Sequence, residues 1–132
     1  MIPATTSFAI AGCLALTLAA CSKQAPAPAS MPFAEPGVSL SVTQLSSECD
    51  SKGNYRANVA WQIPQTQPAR VEIQFGVSER QVFARSDQRN GNEETGLWVS
   101  KDSVFYLLDR ESNKVIAATQ APAANCEAMS AE

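Results

Sequence analysis

The clearest pattern in the chain is a two-residue alternation of apolar and polar side chains. In YRANVAWQI, residues 55–63, Tyr55, Ala57, Val59, Trp61 and Ile63 fall on one side, and Arg56, Asn58 and Gln62 on the other. A period of two is the signature of a strand with one buried face. The same alternation places Val38, Leu40 and Val42 together in VSLSV, and Val71, Ile73, Phe75 and Val77 together in VEIQFGV. RQVFARS, GLWVS, VFYLLD and KVIAAT complete a set of about seven short strands. Turn residues separate them. Pro64 and Pro68 bound the loop after the second strand, Asn90-Gly91 is a hairpin-turn dipeptide, and DRESNK, residues 109–114, is a polar turn before the last strand. No segment has sustained helical periodicity. The expectation is an all-β domain over residues 38–126, a single seven-strand antiparallel sandwich, with a small β-barrel as the alternative.

Upstream of the strands the pattern changes twice. Residues 1–20 carry no charged side chain, and Phe8 to Ala20 is an apolar run of about 13 residues. That suits the core of a signal peptide and is shorter than the ~20 residues of a membrane-spanning helix. The run ends in Leu18-Ala19-Ala20-Cys21. This motif resembles the lipobox of bacterial lipoproteins. The resemblance implies cleavage before Cys21, a thioether-linked diacylglycerol on its sulfur with palmitate among the fatty acids carried by that residue, and a signal peptide over residues 1–20. A second match, Ile10-Ala11-Gly12-Cys13, would leave Leu14–Ala20 in the mature chain and three further cysteines. An uncleaved anchor helix is the remaining alternative.

The next stretch, SKQAPAPASMPFAEPG, has prolines at 26, 28, 32 and 36. Proline fixes φ and removes a donor, so residues 21–37 are expected to form a lipidated, disordered tether. At about 3.1 Å per residue it would reach roughly 50 Å. Ser22 in place of Asp after the cysteine fits the family's sorting signal for the outer membrane. The resemblance therefore implies an envelope protein on the periplasmic side of the outer membrane, with membrane lipid as a partner through Cys21.

The strand order also resembles a fibronectin type III or immunoglobulin-like sandwich. VAWQIP is similar to its second strand, ARVEIQFGV to its third, and VFYLLDRESNKVIAAT to its final hairpin. A cysteine pair on the second and sixth strands is absent, so an antibody-type core disulfide is not expected.

Composition narrows the chemistry. The 132 residues include four cysteines and no histidine, with a net charge of −3. Cleavage before Cys21 leaves Cys49 and Cys126, an even pair in an exported chain, which suggests one disulfide. Two buried thiols are the alternative. Cys49 follows the first strand and Cys126 the last, two points at one pole of a sandwich. Without histidine a Ser-His-Asp or Cys-His arrangement is impossible, and no nucleotide-binding or metalloprotease motif occurs. The chain is read as a non-enzyme that needs no cofactor, with no metal site. Mixed charges without a basic stripe argue against nucleic acid. Glu93-Glu94 reads as a solvated loop pair, and Asp109-x-Glu111-x-Asn113 as a hairpin turn rather than a calcium loop. Trp61 is assigned to the core. Phe83 and Trp98 are candidate interaction residues. Residues 127–132 are expected to be a flexible tail. The functional expectation is a protein-interaction module, an assembly accessory or an inhibitor acting on an envelope protein. A glycan- or metal-binding module is the alternative.

Overall fold

Tyr55–Gln62 forms the strand from which the rest of the fold is laid out. Its buried positions, Tyr55, Ala57, Val59 and Trp61, alternate with more exposed ones, as a strand with one wet face requires. The computed structural model describes residues 24–66, 70–77 and 79–126. The signal peptide, Cys13, Cys21, Pro68 and the 127–132 tail lie outside the described residues. Eight strands are present among the described residues: β1 Phe33–Ala34, β2 Ser39–Cys49, β3 Tyr55–Gln62, β4 Val71–Phe75, β5 Gln81–Ser86, β6 Asn90–Glu94, β7 Val104–Asp109 and β8 Lys114–Gln120. They make two antiparallel sheets, β2-β3-β6 and β1-β8-β7-β4-β5. The fold is an all-β sandwich with no helix among the described residues. It is not a closed barrel.

The main core lies between the sheets. Val42, Val59 and Trp61 from one sheet meet Ile73, Phe105, Leu107 and Ile116 from the other. Trp61 donates from Nε1 to the carbonyl of Gln88 at 3.2 Å, so its polar end is satisfied while its ring is buried. At one edge of the core Phe75, Phe83, Trp98 and Phe105 form a cluster with centroid separations of 4.6–6.5 Å. The β7–β8 hairpin turn is held by Asp109. Its Oδ1 accepts from the Glu111 amide at 3.0 Å, its Oδ2 from the Ser112 hydroxyl at 3.0 Å, and its carbonyl from the Asn113 amide at 2.8 Å. Asn113 takes a φ of 55°, a left-handed conformation that asparagine tolerates.

Four expectations are corrected. GLWVS is not a strand; only Val99 makes an isolated bridge, to Tyr55. The strand in that region is instead β6, Asn90–Glu94, and Asn90-Gly91 is its start rather than a hairpin turn. Gly91 lies opposite Trp61, and a Cβ there would come within 2.8 Å of the indole ring. The glycine makes room for a core tryptophan. Val77 does not continue the inward row of β4. The strand ends at Phe75, Gly76 turns at a φ of 128°, and Val77 is 73% exposed.

The fourth correction concerns residues 24–37, expected as a structureless tether. They lie along the outer face of the five-stranded sheet. β1 pairs with β8, Phe33 opposite Ala118, and Ala25 is buried with Tyr106, Leu108, Val115 and Ala118 in a second apolar cluster. The cause is in β7 and β8, whose four central residues are all buried. Strands apolar on both faces need cover on both.

Candidate functional site: a polar face and its open edge

The outer face of the three-stranded sheet is built by simple alternation. On β2 the residues between Val38, Leu40 and Val42 are Ser39, Ser41 and Thr43. On β3 those between the core positions are Arg56, Asn58, Ala60 and Gln62, of which the last three lie in the regular register, and on β6 they are Asn90, Asn92 and Glu94. Register aligns them in three rows: Ser39–Gln62–Asn90, Ser41–Ala60–Asn92 and Thr43–Asn58–Glu94. All nine are exposed or half-exposed. Among the described residues none of their side chains makes a hydrogen bond or ion pair within the protein. These three rows therefore present hydroxyls and carboxamides that can each donate and accept, with Glu94 as their charge, and the exposed Arg56, paired with Glu48, precedes Asn58 on the same side of β3. No aromatic ring stands on it.

The face continues into an open edge. β6 pairs with β3 on one side and, among the described residues, has no strand neighbour on the other. Glu93 and Glu94, expected in a loop, are both exposed on this edge strand. Glu93 is opposite the core residue Val59, on the inward row, and Glu94 is opposite Asn58, on the polar face. An inward-pointing charge on an edge strand discourages indiscriminate sheet extension.

One end of this sheet is locked to the C-terminal segment. Cys49 and Cys126 form a disulfide, 77 residues apart in sequence, with a Cα–Cα distance of 5.5 Å. The Tyr55 hydroxyl donates to the Pro122 carbonyl at 2.6 Å, and burial pushes that phenol above its ordinary pKa. The Gln44 carboxamide accepts from the Asn125 amide at 2.8 Å and donates to the Asn125 carbonyl at 3.0 Å, as a neighbouring strand would. This happens where β2 leaves its register. Four residues, Leu45 to Glu48, stand opposite Arg56 alone. Beside them lies a concavity of about 320 Å³, lined by Gln44, Ser46, Ser47, Pro122, Ala123 and Asn125.

The remaining sequence-predicted residues are dispersed. Phe83 and Trp98 come together, but in the half-buried four-ring cluster, where each ring packs on Phe105. Asp109 commits both carboxylate oxygens to its own turn. No group of three or more acidic or thiol side chains positioned for a metal occurs among the described residues. Two carboxylates are perturbed. Hydrogen bonds from the Asn54 amide and side chain hold Asp50 below the ordinary range. For Glu72 burial acts upward, but hydrogen bonds from Gln74 and Arg85 and the Arg85 and Arg110 charges outweigh it and hold the carboxyl down. Both pairs belong to turns and ion pairs, not to a cleft. The polar face was missed from sequence because its residues were read only as the complement of a buried row. The usable signal was the run of small hydroxyl and amide residues at alternate positions on three strands.

Comparison with protein-family models, with curated proteins and with solved structures finds no match in any of the three.

Proposed function

We propose that the chain is a non-enzymatic lipoprotein of the bacterial envelope, anchored by diacylglycerol on Cys21 at the periplasmic side of the outer membrane. It acts as a protein-interaction module, an assembly accessory or an inhibitor. The carrying observation is the polar face whose nine side chains make no internal side-chain hydrogen bonds and which runs into the open β6 edge. With three strands ~4.8 Å apart, the face alone offers roughly 300–400 Å². That is about half of the ~800 Å² each partner contributes to a stable complex. A partner must therefore also engage the edge, pairing main chain to main chain along β6 and reading the face with its side chains. Glu93 and Glu94 select a partner with basic residues at that strand. The strand order, β2-β3-β6 against β8-β7-β4-β5, supports the fibronectin type III resemblance. A glycan reading is less well supported, because Phe83 and Trp98 turn their rings into the aromatic cluster and sugar rings favour exposed aromatic platforms.

Site-specific photo-crosslinking in intact cells tests the proposal. A photoreactive residue at Asn92 is expected to capture one discrete partner, and one at Glu111 to capture none. The Asn92 adduct should disappear when Asn58→Arg is introduced beside it. Equal capture at both positions, or an adduct indifferent to Asn58→Arg, would contradict the assignment.

A further inference from the structure

The N-terminal segment is gripped at the point where it enters the fold. Arg80, after the β4–β5 turn, donates its backbone amide to Gln24 Oε1 at 3.0 Å. Its guanidinium donates to the Ala25 carbonyl and lies 4.4 Å from the centroid of the Tyr106 ring. Ala25 itself is buried. Cys21 is three residues upstream of Gln24. A fully extended chain spans at most ~3.6 Å per residue, so at most about 11 Å of chain lies between Cys21 and the folded domain. The spacing expected of an unstructured tether, roughly 50 Å, is replaced by a short leash.

The place of that leash fixes which end faces the lipid. Gly76 donates to the Val104 carbonyl, Val104 lies opposite Gln120, and Ala121 donates to the Ser103 carbonyl. Tyr55, at the Cys49 end of β3, reaches Pro122. The β4–β5 turn, the disulfide and the loop before β7 therefore share one pole with Gln24. Val77 stands on that turn and is the most exposed large hydrophobic side chain among the described residues. Gly76 holds the turn tight, since a Cβ there would come within 2.7 Å of the Glu79 carbonyl.

We propose that this pole rests on the bilayer surface, with Val77 entering the headgroup region beside the acyl anchor. The inference rests on the lipidation of Cys21 proposed above and adds the orientation. One valine contributes little alone, but a leash this short keeps it at high effective concentration against the membrane, so a weak contact is enough. The Thr43–Asn58–Glu94 row of the polar face is then nearest the lipid and the Ser39–Gln62–Asn90 row farthest. The Asp109–Lys114 hairpin projects away from the membrane.

The lipidated full chain, carrying either Val77→Trp or Glu111→Trp, is reconstituted into phosphatidylethanolamine–phosphatidylglycerol vesicles with dibrominated acyl chains. Both positions are exposed, so neither substitution disturbs the core. After subtraction of the parent spectrum, emission added at 77 should be blue-shifted and quenched by more than half, and emission at 111 unquenched. Twelve Gly/Ser residues inserted between Lys23 and Gln24 should reduce quenching at 77 several-fold. Protein that floats with the vesicles but shows equal quenching at 77 and 111, or quenching indifferent to the insertion, overturns the orientation and leaves the anchor standing. Absence of an acyl group on Cys21, with no flotation, overturns both.

Discussion

The two sheets solve the problem of a second face in opposite ways. In β3 every other residue is buried, and the outer row is amide, small or charged; water covers it. In β7 the run Phe105, Tyr106, Leu107 and Leu108 is buried throughout. Phe105 and Leu107 face the other sheet, while Tyr106 and Leu108 lie under the N-terminal segment with Ala25 and the half-buried Phe33. A strand apolar on both faces is thus a statement about a third layer. Here that layer is a proline-rich stretch that bends over residues 29–32, and within it only Phe33–Ala34 pairs with a strand.

The largest expected loss comes from untying the C-terminal segment from the wet sheet. Cys126→Ser should lower stability by about 3–4 kcal/mol, following the chain entropy of a long closed loop. Urea unfolding gives the value, and far-ultraviolet circular dichroism should show the strands intact. Next comes the dry outer face. Leu108→Ala should cost about 2–4 kcal/mol, as for a buried core leucine, although Leu108 does not belong to the inter-sheet core. If the loss stays under ~0.5 kcal/mol, the N-terminal layer does not bury that face.

Acid should separate the sheets more gently. Asp50 and Glu72 have depressed folded-state pKa values. Their contribution is complete above the ordinary carboxylate range of ~4 and is lost as pH falls through the lower folded-state values. The melting temperature should therefore fall below about pH 4. Glu72→Gln, on the five-stranded sheet, should flatten part of that decline. The smallest effect belongs to the polar face. Asn58→Ala should change stability by less than ~0.5 kcal/mol, since its side chain has no partner in the fold. Calorimetry of both variants across pH checks the pair.

The part of the fold legible in the sequence was the part governed by one strand at a time. The alternation in Tyr55–Ile63 specified its buried row, and the Cys49–Cys126 pairing was legible as an even pair in an exported chain, near the ends of the first and last expected strands. What failed depended on neighbours. Asn90-Gly91 has the composition of a turn, yet the glycine is needed because Trp61 fills the space a side chain would take. GLWVS has the short apolar run of a strand, but only Val99 finds a bridge, while Trp98 is drawn into the ring cluster with Phe75. Residues 24–37 were read from composition alone. The continuous apolar runs VFYLLD and KVIAAT already implied a cover for their second face, and the segment that provides it lies far upstream in sequence, before the first of the core strands.

That cover is the central claim, because the short leash and the orientation at the membrane both follow from it. The direct test is urea unfolding of two soluble chains, one beginning at Gln24 and one at Glu35. Removing the layer uncovers Tyr106, Leu108, Val115 and Ala118, partly offset by the entropy released from about ten residues. The account predicts a stability loss of about 2 kcal/mol or more for the shorter chain, with exposure of apolar surface seen as dye binding. Equal stability of the two chains, without dye binding, would contradict it.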